Sequence, residues 1–192
     1  MTIEPLINYI SNLFDISNND IRLLTHFFKN ANFSKGSILE KENIVAQKLY
    51  FIRNGFIRTF SNEDGIEITT QIVGENNFIT GFNSFVSGVI SKENIQCISD
   101  CEVLHITKSD YETLTKESAI WSTFCKQVYE KAITFNQQRT TDLLTLSAEK
   151  QYLKLLAEQP EIIQNVPIQY IASYIGIKPY KKHNFLSIVR LS

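Results

Sequence analysis

From Gly176 to Ser192 the sequence carries Lys178, Lys181, Lys182 and Arg190, with His183 among them and no acidic residue. Cations grouped in this way suit the neutralisation of phosphates. Over the whole 192-residue chain, 19 Lys and Arg stand against 20 Asp and Glu, for a net charge of −1. Any contact with nucleic acid must therefore come from a local patch and not from the bulk charge. A solubilising tail is the other reading of the same residues. Just before this patch, Ala172 and Gly176 stand four apart among Ile171, Ile175 and Ile177. A helix-turn-helix needs this pattern: a small residue where two helices cross, then a glycine at a left-handed turn, with apolar positions around both. An ordinary helix closed by a glycine cap accounts for the same residues.

Other reactive side chains are scattered. Cys97, Cys101 and Cys125 form no CxxC pair and leave an odd thiol, which fits reduced cysteines in a cytoplasmic protein. Three thiolates are one short of the usual iron–sulfur ligand set. Cys97 and Cys101 fall in a segment that reads as one strand, which places them on one face and in the core. His26, His105 and His183 lie in three separate segments without an HxH or HxxxE grouping, and Glu63-Asp64 sits in a turn. There is no Gly-rich phosphate loop, nucleophile elbow or Cys/His pairing, so no catalytic residue, metal site or cofactor is expected. No apolar run approaches the roughly 18 residues that span a bilayer. The opening MTIEPLINYI lacks the basic start and apolar stretch of a signal peptide.

Elements must position these groups. Ile7 to Phe28 reads as two short helices, with N-cap candidates for the second at Ser17-Asn18-Asn19-Asp20. From Phe33 the pattern turns to strands. Asn54-Gly55 predicts a hairpin between 49–53 and 56–60, and Glu63-Asp64-Gly65 marks a second turn. Ile66, Ile68, Thr70 and Ile72 alternate with Glu67, Thr69 and Gln71, which predicts one buried face. Strands at 95–98 and 102–106 complete an antiparallel β-roll or barrel, and Ser109-Asp110 caps a short helix.

Trp121, Cys125, Val128, Ala132 and Phe135 then recur at spacings of 4, 3, 4 and 3, a heptad seam. Phe124, Tyr129 and Ile133 flank it, so the helix has apolar residues on more than one face. It can pack on its own roll, pair with a twin, or do both. A further amphipathic helix from Leu143 to Leu156 is expected to end at Gln159-Pro160.

The run from Ala148 to Leu156, then Glu158-Gln159-Pro160, then Val166-Pro167 through Ile177, resembles the C-terminal domain of Crp/Fnr-type transcriptional regulators, the Bacteroidetes-type members above all. The order of parts is similar over nearly the whole chain. The resemblance implies an α+β fold: an N-terminal antiparallel β-roll of the cyclic-nucleotide-binding, double-stranded β-helix or jelly-roll type with flanking helices, a long dimerisation helix, and a small, incomplete winged-helix-like domain. The corresponding divisions are an effector domain over 1–116, a dimerisation helix over 117–140 and a helix-turn-helix unit over 141–192, atypical or truncated. It implies a cytoplasmic homodimer that binds DNA through Lys178, Lys181, Lys182, His183, Asn184, Ser187 and Arg190, with no membrane attachment.

The chain departs from the family in two places. After Gly176-Ile177-Lys178-Pro179 the family continues to Leu-Ser-Arg-Ile-Arg. Read without a gap, the Leu site is Lys182 and the Arg sites are Asn184 and Leu186. Read with a four-residue insertion, Leu186 to Arg190 matches but the first Arg is Ile188. A buried lysine at the inward site costs several kcal/mol, so a sensor or interaction module that has lost DNA binding is the alternative. The second departure is the effector pocket, implied at Thr80, Gly81, Phe82, Asn83, Ser91 and Lys92. Gly81 occupies the family's ribose-binding Glu site and Ser91 its phosphate-binding Arg site. Without a bidentate guanidinium a buried phosphate loses its main partner, so a small effector other than cAMP or cGMP is expected, if there is one.

Overall fold

The structure, a computed structural model, describes residues 2–177. Lys178, Lys181, Lys182, His183, Asn184, Ser187 and Arg190 lie outside the described residues. Two helices lead, α1 (Glu4–Ser11) and α2 (Asn18–Phe27). The polar break ahead of α2 works as a capping box: the Ser17 side chain accepts from the Asp20 N–H, and the Asp20 carboxylate accepts from the Ser17 N–H.

Eight strands follow: β1 (Lys29–Phe33), β2 (Ile38–Glu40), β3 (Lys48–Asn54), β4 (Ile57–Glu63), β5 (Ile66–Val73), β6 (Phe78–Ile79), β7 (Asn94–Cys97) and β8 (Cys101–Thr107). A short helix, α3 (Phe82–Ser87), lies between β6 and β7. The strands form two antiparallel four-stranded sheets, ordered β1-β8-β3-β6 and β2-β7-β4-β5, with Ile52, Ile57, Ile79, Ile95 and Val103 packed together in the core.

Three strand expectations are corrected here. Asn54-Gly55 does not close a hairpin, because β3 and β4 belong to different sheets. The favoured two-residue hairpin turn requires positive φ at both positions. Gly55 has φ +96°, whereas Asn54 is not left-handed. The chain crosses between sheets at Gly55, where a Cβ would lie 2.4 Å from the Asp100 carbonyl oxygen. Asp64 and Gly65, with φ 53° and 82°, do close the hairpin between β4 and β5. Along β5 the register shifts where Thr59 pairs with Gln71 but Phe60 pairs with Thr69. This bulge at Thr70 inverts the alternation, leaving Ile66 and Ile68 exposed and burying Thr69. Cys97 and Cys101 share no strand. One ends β7 and the other begins β8, although both are buried.

Helix α4 (Lys108–Glu117) is capped by Thr107, two residues ahead of the expected Ser109, because the Thr107 side chain accepts from the Asp110 N–H. Helix α5 (Ala119–Thr145) is 27 residues long, about 40 Å at helical rise. Its heptad seam turns inward. Trp121 and Cys125 are buried in a core with Phe28, Phe51, Phe78 and Phe124, and Val128 packs against that core. Ring contacts bind this region: Trp121 to Phe28 at 5.4 Å, Phe124 to Phe78 at 5.6 Å and Phe124 to Tyr9 at 5.9 Å between centroids.

The expected helix from Leu143 to Leu156 is two elements. Leu143 and Leu144 end α5, and Ser147 caps a new helix, α6 (Ala148–Glu158). Pro160 then opens α7 (Pro160–Asn165), and α8 (Ile168–Tyr174) follows. Tyr152, Leu155, Ile162, Val166, Ile171 and Ile175 share one cluster with Ile72 and Ile98 of the roll.

Candidate functional site

Within the roll, the turn from β6 into α3 and the segment before β7 meet. Thr80, Gly81 and Ser91 are all buried there, and a Cβ on Gly81 would sit 3.4 Å from Ser91 Oγ and 3.5 Å from the Ala46 side chain. Small residues close the space. Thr80 donates to the Lys48 carbonyl at 2.8 Å, and Ser91 donates to the Glu93 carbonyl at 3.0 Å. Ser84 accepts from the Ala46 N–H at 2.8 Å. Thr70 donates to Glu93 at 2.8 Å, and on the neighbouring strand the Thr59 hydroxyl is buried without a partner. Phe82 instead turns toward α5, its ring 5.5 Å from that of Tyr129. Asn83 and Lys92 are exposed. Three of the six expected pocket residues therefore converge, one packs on the long helix and two face solvent.

A larger cleft, about 1010 Å³, opens elsewhere, between the turn at Asn54-Gly55, the end of β5, the middle of α5 and α7. Phe56, Phe78, Phe82 and Phe135 supply its rings, with Lys131 against Glu75, Asp100 and Glu161 as its charges. Ala132 and Phe135, the last two seam positions, also line it.

Helix α8 is built as the first half of a helix-turn-helix. Ala172 is buried at the crossing position and Gly176 has φ +80°. The Gly176 N–H donates to the Ser173 carbonyl at 3.1 Å, and the Ile177 N–H to the Ala172 carbonyl at 2.9 Å. Those paired bonds are the Schellman closure, which needs a residue free to adopt the left-handed conformation. The segment beyond the turn lies outside the described residues.

Two arginines clamp α8, and nothing in the sequence reading singled them out. Arg58, 1% exposed on β4, ion-pairs with Glu67 and donates to the Gln96 side chain at 2.7 and 3.0 Å. Its guanidinium lies between two rings, 4.1 Å from Phe60 and 3.8 Å from Tyr170 of α8. From the other side, Arg139 of α5 donates to the Tyr174 carbonyl at 2.7 Å and stands 4.2 Å from the Tyr174 ring. Burial pushes the Tyr174 phenol above its usual range, with Arg139 opposing. Desolvated cation–π pairs of this kind contribute about 2 kcal/mol each. Ser173 completes the attachment, accepting from the Thr69 N–H of β5 at 2.9 Å. The available signals were an arginine set between Phe56-Ile57 and Phe60 and two tyrosines four apart on the helix before Gly176.

Comparison with known proteins places this arrangement. Residues 31–118 match the family described as "Cyclic nucleotide-binding domain". No curated protein matches the sequence. A protein assigned to the Crp/Fnr family of transcriptional regulators from Eubacterium rectale has a similar structure, with TM-score 0.72 and 18% identity, over 96% of this chain and 87% of that one. The c-di-GMP-responsive global regulator CLP of Xanthomonas campestris is similar at TM-score 0.68 and 14% identity, over 91% and 92%. FixK2 of Bradyrhizobium japonicum gives 0.70 and 13%, over 85% of each chain. No helix among the described residues is long and apolar enough to cross a membrane. Residues 31–118 thus match the cyclic nucleotide-binding domain, and the chain shares the fold of the Crp/Fnr-type regulators.

Proposed function

We propose that this chain is a transcriptional regulator that binds DNA as a homodimer and responds to a small effector other than cAMP or cGMP. The observation that carries the reading is the closure of α8 at Gly176 with Ala172 buried beneath it, on a fold shared with such regulators. The basic segment that follows α8 in sequence would supply the DNA contacts, with Lys178, Lys181, Lys182 and Arg190 on phosphates. Gly81 and Ser91 support a different effector. Gly81 offers no side chain to a ribose hydroxyl and Ser91 no positive charge to a cyclic phosphate, and Gly81 stands in van der Waals reach of Ser91 and Ala46. Ile133 and Leu144, 59% and 81% exposed and three helical turns apart on α5, offer a surface to a twin. An effector acts in this scheme by favouring one placement of α8 against the roll over another.

A fluorescence-anisotropy titration with genomic DNA fragments over a range of salt tests the reading. Specific binding that weakens steeply with salt is the expected result. Absent or salt-insensitive binding across all fragments sinks it, and favours the sensor module without DNA reading that Lys182 suggests.

A further inference from the structure

The cleft of about 1010 Å³ beside Gly55 lies at the upper end of the size range of small-molecule sites. The roll, the middle of α5 and the helical unit of α6–α8 each contribute to its lining. Its rings are held in place by their neighbours. Phe78, 8% exposed, packs on Phe51 at 5.0 Å and on Phe124 at 5.6 Å between centroids. Phe82 packs on Tyr129, and the Phe56 ring lies so near Gly74 that a Cβ there would stand 2.9 Å from it. The charges of the lining are placed differently. Glu75, Asp100, Glu161 and Lys131 are all exposed, so three carboxylates and one ammonium surround an aromatic floor. Asp100 is anchored there, accepting from the Lys35 N–H at 2.8 Å. Among the described residues none of the three acids has an ion-pair partner. Nor do they gather as metal ligands do, since no three His, Cys, Asp or Glu of the described residues form such a group.

We propose that this cleft binds a small organic cation with an aromatic or apolar body, and that it is the effector site of the chain. Rings that are already ordered lose little freedom when a flat apolar body covers them. An ammonium on that body then meets the carboxylates at the rim and gains cation–π attraction from the rings. An anion would meet three carboxylates against Lys131 alone, and a bare inorganic cation would leave the rings uncovered. The site is separate from the pocket inside the roll, because Thr80, Gly81 and Ser91 do not line it.

The effector role rests on the regulator reading above, whereas the binding itself does not. Gly55 belongs to the roll, Lys131 to the long helix and Glu161 to α7, and all three line the cleft. A ligand in contact with all of them binds the present placement of α7 better than one in which α7 has moved off, and so shifts the population toward it. The turn that carries Asp100 is tied to the same wall, since Ser99 accepts from the Phe56 N–H at 2.9 Å.

Calorimetric titration of the full-length protein with three matched indoles tests the site: tryptamine carries an ammonium, tryptophol a hydroxyl and indolepropionate a carboxylate. Tryptamine should bind once per chain and about fivefold tighter than tryptophol, with indolepropionate weakest. Raising the salt to about 0.5 M should narrow the gap between the first two. Glu75→Gln combined with Glu161→Gln, both at exposed positions, should bring tryptamine to within about twofold of tryptophol and leave tryptophol unchanged. Ala132→Trp, which fills the cleft from α5, should abolish binding of both. Equal affinity for the three indoles, preference for the carboxylate, no binding of tryptamine, or binding that neither variant alters overturns the proposal. Tryptamine should also slow hydrogen exchange at the Gly55 turn and in α7 together, and protection of the roll alone refutes the link to the helical unit. Tryptamine binding in a protein that binds no DNA would keep the site and remove its effector role. DNA binding without tryptamine binding would keep the regulator and remove the site.

Discussion

Between Ala119 and Tyr129, α5 is a wall of the roll's own core, with Trp121, Phe124 and Cys125 buried among rings from α2, β3 and β6. Between Glu130 and Thr145 the same helix runs clear of that core, and Ile133, Phe135 and Leu144 are 59, 40 and 81% exposed. One heptad spacing serves both halves. The roll is simply not long enough to cover the whole helix, and α6–α8 meet the far half at Arg139, Asp142 and Leu143. A periodic seam thus establishes that a face is apolar without identifying its partner. Here the near half holds the domain together, and the far half meets the helical unit while leaving Ile133 and Leu144 exposed.

Substitutions in the two halves should therefore differ in kind. Trp121→Ala should lower unfolding stability by about 3–5 kcal/mol, measured by urea denaturation, and a loss below 1 kcal/mol would show that the near half is not core. Arg139→Ala should cost less, about 1–2 kcal/mol, with faster hydrogen exchange concentrated in α8. Uniform exchange across the protein would break the assignment of Arg139 as a local clamp.

Burial pushes the Cys125 thiol from its ordinary 9.0 up to about 12. Its contribution is fully present below the first value and is lost as pH rises through the second, because the unfolded chain gives up its proton earlier. Cys125→Ala should flatten part of the alkaline decline in stability. Tyr50, Tyr111, Tyr129 and Tyr174, raised in the same direction by burial, contribute to the same decline. The double substitution of Ile133 and Leu144 by Glu should change monomer stability least, by roughly 0.5 kcal/mol or less. Light scattering should nevertheless show a dimer converted to a monomer. A dimer that survives both charges would move the self-association surface elsewhere.

The sequence revealed more about local conformation than about pairing. Ser17 with Asp20, Asp64-Gly65 and Ala172 with Gly176 each act through neighbours within a few residues, and each was readable. Asn54-Gly55 looked like the stronger hairpin signal than Asp64-Gly65, yet it crosses between sheets. Its outcome depends on Asp100 and Cys101, distant in sequence and packed against the glycine. Ile66 and Ile68 were misassigned because one bulge at Thr70 inverts the strand's faces. In the candidate pocket, the family pattern indicates Thr80, Gly81 and Ser91, which lie together, but not that Ala46 and Ser84 stand beside Gly81. The Arg58–Tyr170 and Arg139–Tyr174 contacts join the roll and the long helix to α8, and no local pattern encodes them.

The seat of α8 on β5 has a consequence for solubility. In the sheet ordered β2-β7-β4-β5, β5 is an outermost strand, and Ser173 occupies the Thr69 N–H that would otherwise be unpaired. Outermost strands with free backbone donors template pairing with other chains, and Ile66 and Ile68 would add apolar side chains to such a contact. Any state in which α8 swings away uncovers that strand. The helical unit then acts as a guard against aggregation, and how far it can travel is limited by how long β5 can safely stay bare.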